Sequence, residues 1–438
     1  MSYYTYPSEL EILPLAIAPE ATVSVPGSKS ITNRALVLAA LSSRGGSCTL
    51  TGALQSEDTE VMIDCLQRLG FGVVPEWDRA TITVRENESD RIIPAESAEL
   101  FVANSGTTIR FLTAILSLGI GSFRLDGVPR MRERPIQDLL DALQQIDGVN
   151  AHSEMGNGCP PVRIESTGLC GGHVRIRADV SSQFLSGLLM AAPFAAEPMQ
   201  IAIAGRLVSV PYVEMTLRML SDWGFSWNRT QVGYNVESIL SRPPTSYFGR
   251  YIIEPDASAA SYYWAAAAIT GGSVEIGDLN SSSLQGDIRF VNLLEGMGCR
   301  VFWGELSTVV DGRNLHGIDV DMNDISDTVM TLAAVACFAG GPTTIRNVAH
   351  IRHKETDRIA AIATELRKLG AEVEEYLDGL KIAPRQLKGC AVETYNDHRM
   401  AMSLALIGLK VPGVIIKNPG CVAKTYPGFW QDFEKLRT

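Results

Sequence analysis

A short strand-like phrase returns six times along this chain: GSCTLTG (46–52), GSFRLDG (121–127), MQIAIAG (199–205), GSVEIGD (272–278), PTTIRN (342–347) and GVIIKN (413–418). Aligned on Leu50, Leu125, Ile203, Ile276, Ile345 and Ile416, successive copies stand 75, 78, 73, 69 and 71 residues apart, so six similar units fill the 438 residues. Solenoid repeats usually run ~20–50 residues, shorter than these units, so a solenoid is the weaker reading. Every phrase but the last is followed by an amphipathic segment that ends in glycine, at Gly70, Gly148, Gly224, Gly298 and Gly370, in step with the strands. A glycine after a helical run is an ordinary C-cap, and the chain beyond it opens a new strand.

Each phrase is also preceded by a segment that is apolar nearly all round, at 35–41, 111–118, 184–192, 259–269, 329–338 and 400–409. A helix without a polar face must be buried on every side. Six of them predict an α/β fold with helices inside and sheets outside, the reverse of a layered sheet flanked by helices. One core cannot hold six such units, so they divide into two groups of three. The crossing is expected at Arg250–Pro255, between the third and fourth repeats. The first residues are expected to complete the other group, because a terminus has to be tied down to stay ordered. The domains so defined are 1–27 with 254–438, and 28–253.

Charge and cysteine usage narrow the function classes. With 38 Lys and Arg against 49 Asp and Glu, the formal charge is −11, which argues against a nucleic-acid or anionic-membrane surface. The N-terminus has no basic flank before an apolar run, and no stretch approaches the ~20 apolar residues of a membrane span. The eight cysteines show no CxxC spacing, Cys170 and His173 make only half a zinc site, and the six histidines include no HExxH pair. The expectation is a cytoplasmic protein with reduced thiols and no metal.

The starts of the buried segments carry the chemistry. They read Pro26-Gly-Ser-Lys-Ser30 with Asn33 and Arg34, Asn104-Ser-Gly-Thr-Thr108 with Arg110, Ser181-Ser-Gln183, Asp256-Ala-Ser258, Asp327, and Asn396-Asp-His-Arg399. Taken singly, Ser, Thr, Asn and Asp there are ordinary N-caps. Lys29, Arg34, Arg110 and Arg399, however, stand where the helix macrodipole disfavours cations. A bound anion between each cation and the exposed N–H groups removes that penalty. Basic runs at 129–135 and 350–358 fall at matching places in their repeats, although a lone run of this kind is ordinarily a solvated loop. The picture is an interdomain cleft for a small, multiply anionic ligand. Gly27-Ser-Lys-Ser30 lacks the Gly-Lys pair and the earlier glycine of a nucleotide phosphate loop.

PGSKSITNRAL (26–36), NSGTTIR (104–110), PRMRERPI (129–136), SSQFLSGLL (181–189), DASAASY (256–262), KETDRI (354–359), YNDHRMAM (395–402) and AKTYPGF (423–429) resemble, in order, the motifs of the 5-enolpyruvylshikimate-3-phosphate synthase family. The resemblance implies two similar domains, each of three βαβαββ units with buried helices and outer sheets, an inside-out barrel-like α/β fold. It implies transfer of the carboxyvinyl group of phosphoenolpyruvate to shikimate 3-phosphate, with no cofactor and no metal, by a monomer without nucleic-acid or membrane partners. By the same resemblance, Lys29, Ser30, Arg34, Ser181, Ser182, Gln183, Ser209, Tyr212, Asp327 and Lys354 face shikimate 3-phosphate. Lys29, Gly106, Arg134, Gln183, Glu355, Arg358, Arg399 and Lys424 face phosphoenolpyruvate, with the two arginines on its carboxylate. Asp327 and Glu355 match the acid–base pair, and Lys29 and His398 join them as catalytic candidates. The residues do not say which group moves which proton. The family's inhibitor glyphosate is expected at the donor position beside Gly106, where an added methyl should crowd it more than phosphoenolpyruvate.

The chain departs from the family pattern in three places: His350 stands where some members carry Asn, Phe111 where many carry Pro, and Ser105 where Ala is common. Two rival readings have their own discriminators. A transferase acting on UDP-N-acetylglucosamine shares the architecture but uses a loop cysteine, and the loop at 129–135 has three arginines and no cysteine. A non-catalytic anion-binding module gains nothing from Asp327 and Glu355 set among cations.

Overall fold

A computed structural model of the chain describes residues 4–240 and 249–437. The chain forms two compact units, Gly27–Ile253 (the first unit) and Met1–Pro26 together with Glu254–Thr438 (the second). The first unit carries α1 (Lys29–Ser42), α2 (Glu57–Arg68), α3 (Gly106–Ile115), α4 (Gln137–Leu143), α5 (Ser182–Ala191) and α6 (Val210–Asp222). The second carries α7 (Ala257–Thr270), α8 (Phe290–Gly296), α9 (Val329–Ala336), α10 (Arg358–Lys368), α11 (His398–Gly408) and α12 (Phe429–Glu434).

The odd-numbered helices are the interior ones. Every residue of α3, α9 and α11 is buried, as are Ile31–Leu41 of α1 and Ala257–Ile269 of α7. Small residues such as Ala265–Ala268 allow α7 to be enclosed closely on every side. Helices α2, α6 and α10 bury one mainly apolar face, which in α2 also takes in Asp58 and in α10 Arg358 and Glu365. The glycines that close the repeats, Gly70, Gly148, Gly224, Gly298 and Gly370, have φ of 92°, 83°, 76°, 111° and 101°. That left-handed conformation is disfavoured for residues with a Cβ, which explains the recurrence of glycine at that point in the repeat.

Each recurrent phrase is an inner strand of its own sheet, parallel to one neighbour and antiparallel to the other. In the first unit Cys48–Thr51 lies between Arg250–Ile252 and Thr81–Val84, and Ile120–Asp126 between Ser97–Phe101 and Val162–Thr167. Leu50, Leu125, Ile276, Ile345 and Ile416 are all fully buried. In the third repeat that place falls to Ile201, two residues before the expected Ile203 and on the same face of the strand. The second unit closes its repeats with the N-terminal segment. Glu20–Val23 runs parallel to Ser273–Gly277, with Ala21 opposite Val274, and Glu9–Ile12 runs antiparallel to Val414–Lys417. Among the described residues all six sheets are open, so the barrel likeness reduces to helices inside and strands outside. No described helix is long and apolar enough to cross a membrane.

Candidate active site

In the first unit the starts of α1, α3 and α5 are tied together by polar contacts. Asn33 Nδ2 donates to Thr107 Oγ1 at 2.7 Å, Arg34 Nη2 to Ser186 Oγ at 3.3 Å, and Arg110 Nη1 to Gln183 Oε1 at 2.9 Å. Three helix N-termini therefore lie side by side, and their exposed N–H ends favour anions. Ser28, Ser105 and Ser181 cap the three helices through their side-chain oxygens. Gly106 is the first residue of α3, close under the guanidinium of Arg134, which donates to the Asn104 carbonyl at 2.9 Å.

Two basic candidates are held differently from what the sequence suggests. Lys29 already has an anion beside it: its Nζ lies 3.1 Å from Oδ2 of the buried Asp58. Arg34 is only 1% exposed. It donates to Thr216 Oγ1 at 2.7 Å, to the Ser30 carbonyl at 3.0 Å and to the Tyr212 carbonyl at 3.1 Å, and its guanidinium lies over the Phe111 ring at 5.0 Å. Burial pulls its pKa down to about 10, still far above neutral. Arg34 thus knits α1, α5 and α6 into one frame. Ser182 opens α5, and Ser209 precedes α6 in a left-handed conformation with φ of 51°.

The second unit gathers the acids. Arg358, fully buried at the start of α10, donates to Asp397 Oδ2 at 2.8 Å, to Glu355 Oε2 at 2.8 Å and to Asp327 Oδ1 at 3.1 Å. Burial acts to lower its pKa, but Asp397, Glu355 and Asp327 together hold it above the usual arginine value. Arg399 Nη2 reaches Asp327 Oδ2 at 2.7 Å, while Lys354 Nζ lies 3.8 Å from Asp327 and Lys424 Nζ 3.8 Å from Glu355. Helices α7, α9 and α11 are joined within their first two turns by Ser261 to Thr331 at 3.2 Å and Thr331 to Ser403 at 3.5 Å. They repeat the parallel arrangement of the first unit.

The sequence places Asp327 as an N-cap; the structure does not. Asp327 sits in a 3₁₀ turn, Ser326–Thr328, one residue before the Thr328 cap position of α9, and its carboxylate takes two arginines. The charge-assisted bonds outcompete a backbone cap. Asp397, by contrast, does cap α11, accepting from Arg399 N at 2.9 Å while binding Arg358. His398 is buried beside it, with Nδ1 3.6 Å from Asp397 Oδ1. His350 is buried, with Nε2 2.9 Å from Ser326 Oγ.

Sequence reasoning overlooked Asp58, the role of Asp397 and the buried Ser258–Asp287 pair that backs Arg399. Asp397 was the recoverable one, since it lies two residues before Arg399 within a recognised motif. Nothing in the spacing joins Asp58 to Lys29, on a different helix. The first unit therefore gathers Lys29, Ser30, Arg34, Gly106, Arg134, Ser181, Ser182, Gln183, Ser209 and Tyr212 around its helix starts. The second gathers Asp327, Lys354, Glu355, Arg358, His398, Arg399 and Lys424 around its own.

Comparison with known proteins gives one consistent result. The family described as EPSP synthase (3-phosphoshikimate 1-carboxyvinyltransferase) matches residues 18–433. The chain is 50% identical to a 3-phosphoshikimate 1-carboxyvinyltransferase of Trichormus variabilis over 419 residues, covering 95% of this chain and 96% of the other. It is 44% identical to a protein of the same name from Shewanella baltica, again over 95% and 96% of the two chains. The structure superimposes on EPSP synthase from Acinetobacter baumannii with a TM-score of 0.79 at 24% identity, covering 98% of both chains, a likeness of fold.

Proposed function

The chain belongs to the EPSP synthase family, and from that membership we propose that it transfers the carboxyvinyl group of phosphoenolpyruvate to the 5-hydroxyl of shikimate 3-phosphate, releasing phosphate. The observation that carries most weight beside the family is the pair Asp327 and Glu355, both bonded to the one buried guanidinium of Arg358. Capture of anions alone gains nothing from this pair set among cations, whereas proton transfer can use both.

The reaction is an addition followed by an elimination. The methylene carbon of phosphoenolpyruvate takes a proton while the acceptor hydroxyl, losing its own, bonds to the adjacent carbon. The tetrahedral adduct then expels phosphate as a proton leaves the new methyl group, restoring the double bond. Two acid–base groups and a set of cations for the departing phosphate meet these demands. Asp327 and Glu355 are the acid–base candidates, and Lys29 and His398 are further catalytic candidates. Arg358 and Arg399 suit a carboxylate, because a planar guanidinium presents paired donors. Lys29, Arg134 and Lys424, with the α3 amides exposed by Gly106, suit the phosphate of the donor, and Gln183 joins them in contact with both substrates. Ser30, Ser181, Ser182, Ser209, Tyr212 and Lys354 serve the acceptor, together with the Arg34 Nη1 edge not spent on Ser30. The reading favours a cytoplasmic monomer that needs neither metal nor cofactor.

Phosphate release is the test. It should require both substrates together, and release from phosphoenolpyruvate alone at the same rate would sink the reading.

A further inference from the structure

We propose that His350 is a positioning residue for the acid–base pair, tying the turn that carries Asp327 to the turn that leads into Lys354 and Glu355. The proposal rests on the transferase reading above. His350 lies in the 3₁₀ turn Ala349–His353, immediately before Lys354, and is 5% exposed. Its Nε2 is 2.9 Å from the hydroxyl of Ser326, which is 1% exposed and is the residue before Asp327. One side-chain bond therefore links two backbone segments that each present a carboxylate to Arg358.

Within its own segment the turn that carries Asp327 is held by Thr328, whose N and Oγ1 both donate to the Ile325 carbonyl, at 3.0 and 2.8 Å; His350 adds the tie to the segment that leads into Glu355. The Asp327 carboxylate is drawn by Arg358 and Arg399, and a shift of the turn would follow those cations. The imidazole suits the task because it stays neutral: burial lowers its pKa to about 3, Lys354 adds to the fall and Asp327 opposes it. A neutral ring offers one donor and one acceptor, and the Ser326 hydroxyl can play either part, so the bond forms with Nε2 donating or accepting. Misplacement of a catalytic group by about 1 Å can cost on the order of 10²-fold in rate, so a bond of this kind is visible in turnover.

The test is a double-mutant cycle on phosphate release, with His350→Phe, Ser326→Ala, their combination, and His350→Gln. Phe keeps the ring and loses the nitrogen, whereas Gln returns an amide nitrogen near the Nε2 position. His350→Phe and Ser326→Ala should each lower kcat about tenfold with both KM values within about twofold, and the double variant should be no worse than the poorer single. His350→Gln should stay within about threefold of the parent. Additive losses, a defect confined to KM, or no rescue by His350→Gln would overturn the proposal. An active parent with uncoupled variants overturns the positioning role alone. A parent that releases no phosphate overturns the transferase reading and this role with it.

Discussion

Arg358 fixes three carboxylates at once, and Asp327 and Glu355 have further cations beside them in Arg399, Lys354 and Lys424. Glu355→Gln keeps an oxygen for Arg358 but removes the proton-transfer group. It should cut kcat by roughly 10²–10⁴-fold with little change in either KM, as read by steady-state kinetics. Normal turnover would remove Glu355 from the mechanism. Gly106 makes a different point. A methyl group there would lie 2.5 Å from Arg134 Nη2 and 2.8 Å from Arg110 Nη1, so it strikes the protein's own cations before any ligand. Gly106→Ala should therefore displace Arg134 and raise KM for phosphoenolpyruvate several-fold; an unchanged KM would show that Arg134 does not hold the donor. An effect on glyphosate should come on top of that one. His350 gives a pH signature. Its folded pKa of about 3 lies below the ordinary 6.5, so between those values the unfolded chain binds a proton that the folded chain refuses. Its contribution is complete above pH 6.5 and is lost as pH falls toward 3, by up to a few kcal/mol. Lys354, Asp327, Arg358 and His353 all act on this ring, so the comparison must be with a variant. Urea midpoints of the parent should drop more steeply than those of His350→Gln across that window; parallel slopes would contradict the buried neutral state.

Helix starts are the elements that organise both units, and they divide into caps that only cap and caps that also hold a cation. Ser28 and Ser105 accept from Ile31 N and Thr108 N within their own helices. Asp397 caps α11 and also binds Arg358. Asn caps as well as Asp, so Asp397→Asn should leave α11 intact while weakening the grip on Arg358. We expect a stability loss of about 1–3 kcal/mol by chemical denaturation, below the full cost of a broken buried pair because Asp327 and Glu355 remain. A loss near zero would show that Asp397 serves only as a cap. The elements were legible in the sequence where one local rule fixed them. Strand phrases, all-apolar helices and closing glycines each follow from periodicity or from a positive φ. Asp327 was not legible as it stands, because its place depends on Arg358, from the second helix of its own repeat, and on Arg399, from the next repeat. Asp58 was hidden for the same reason, since its partner Lys29 begins another helix. Local pattern locates a helix start, and tertiary charge decides what its side chain does.

At the scale of the molecule, the chain passes twice between its units, and strands from each passage complete a repeat. Tyr251 lies opposite Leu50 in the first unit and Ala21 opposite Val274 in the second. Both units must therefore be completed by residues distant in sequence, which is the costly, slow part of such a topology. The candidate residues divide between the units too, cations and hydroxyls in the first, acids and their arginines in the second. The central claim is that these two sets serve one addition–elimination. Mass spectrometry of the acceptor after incubation with phosphoenolpyruvate in heavy water tests it most directly. The account predicts that shikimate 3-phosphate gains one carboxyvinyl group for each phosphate released, with deuterium in its methylene, because a methyl group forms and then loses a hydrogen. Phosphate released while the acceptor keeps its mass, or a transferred group without deuterium, would contradict it.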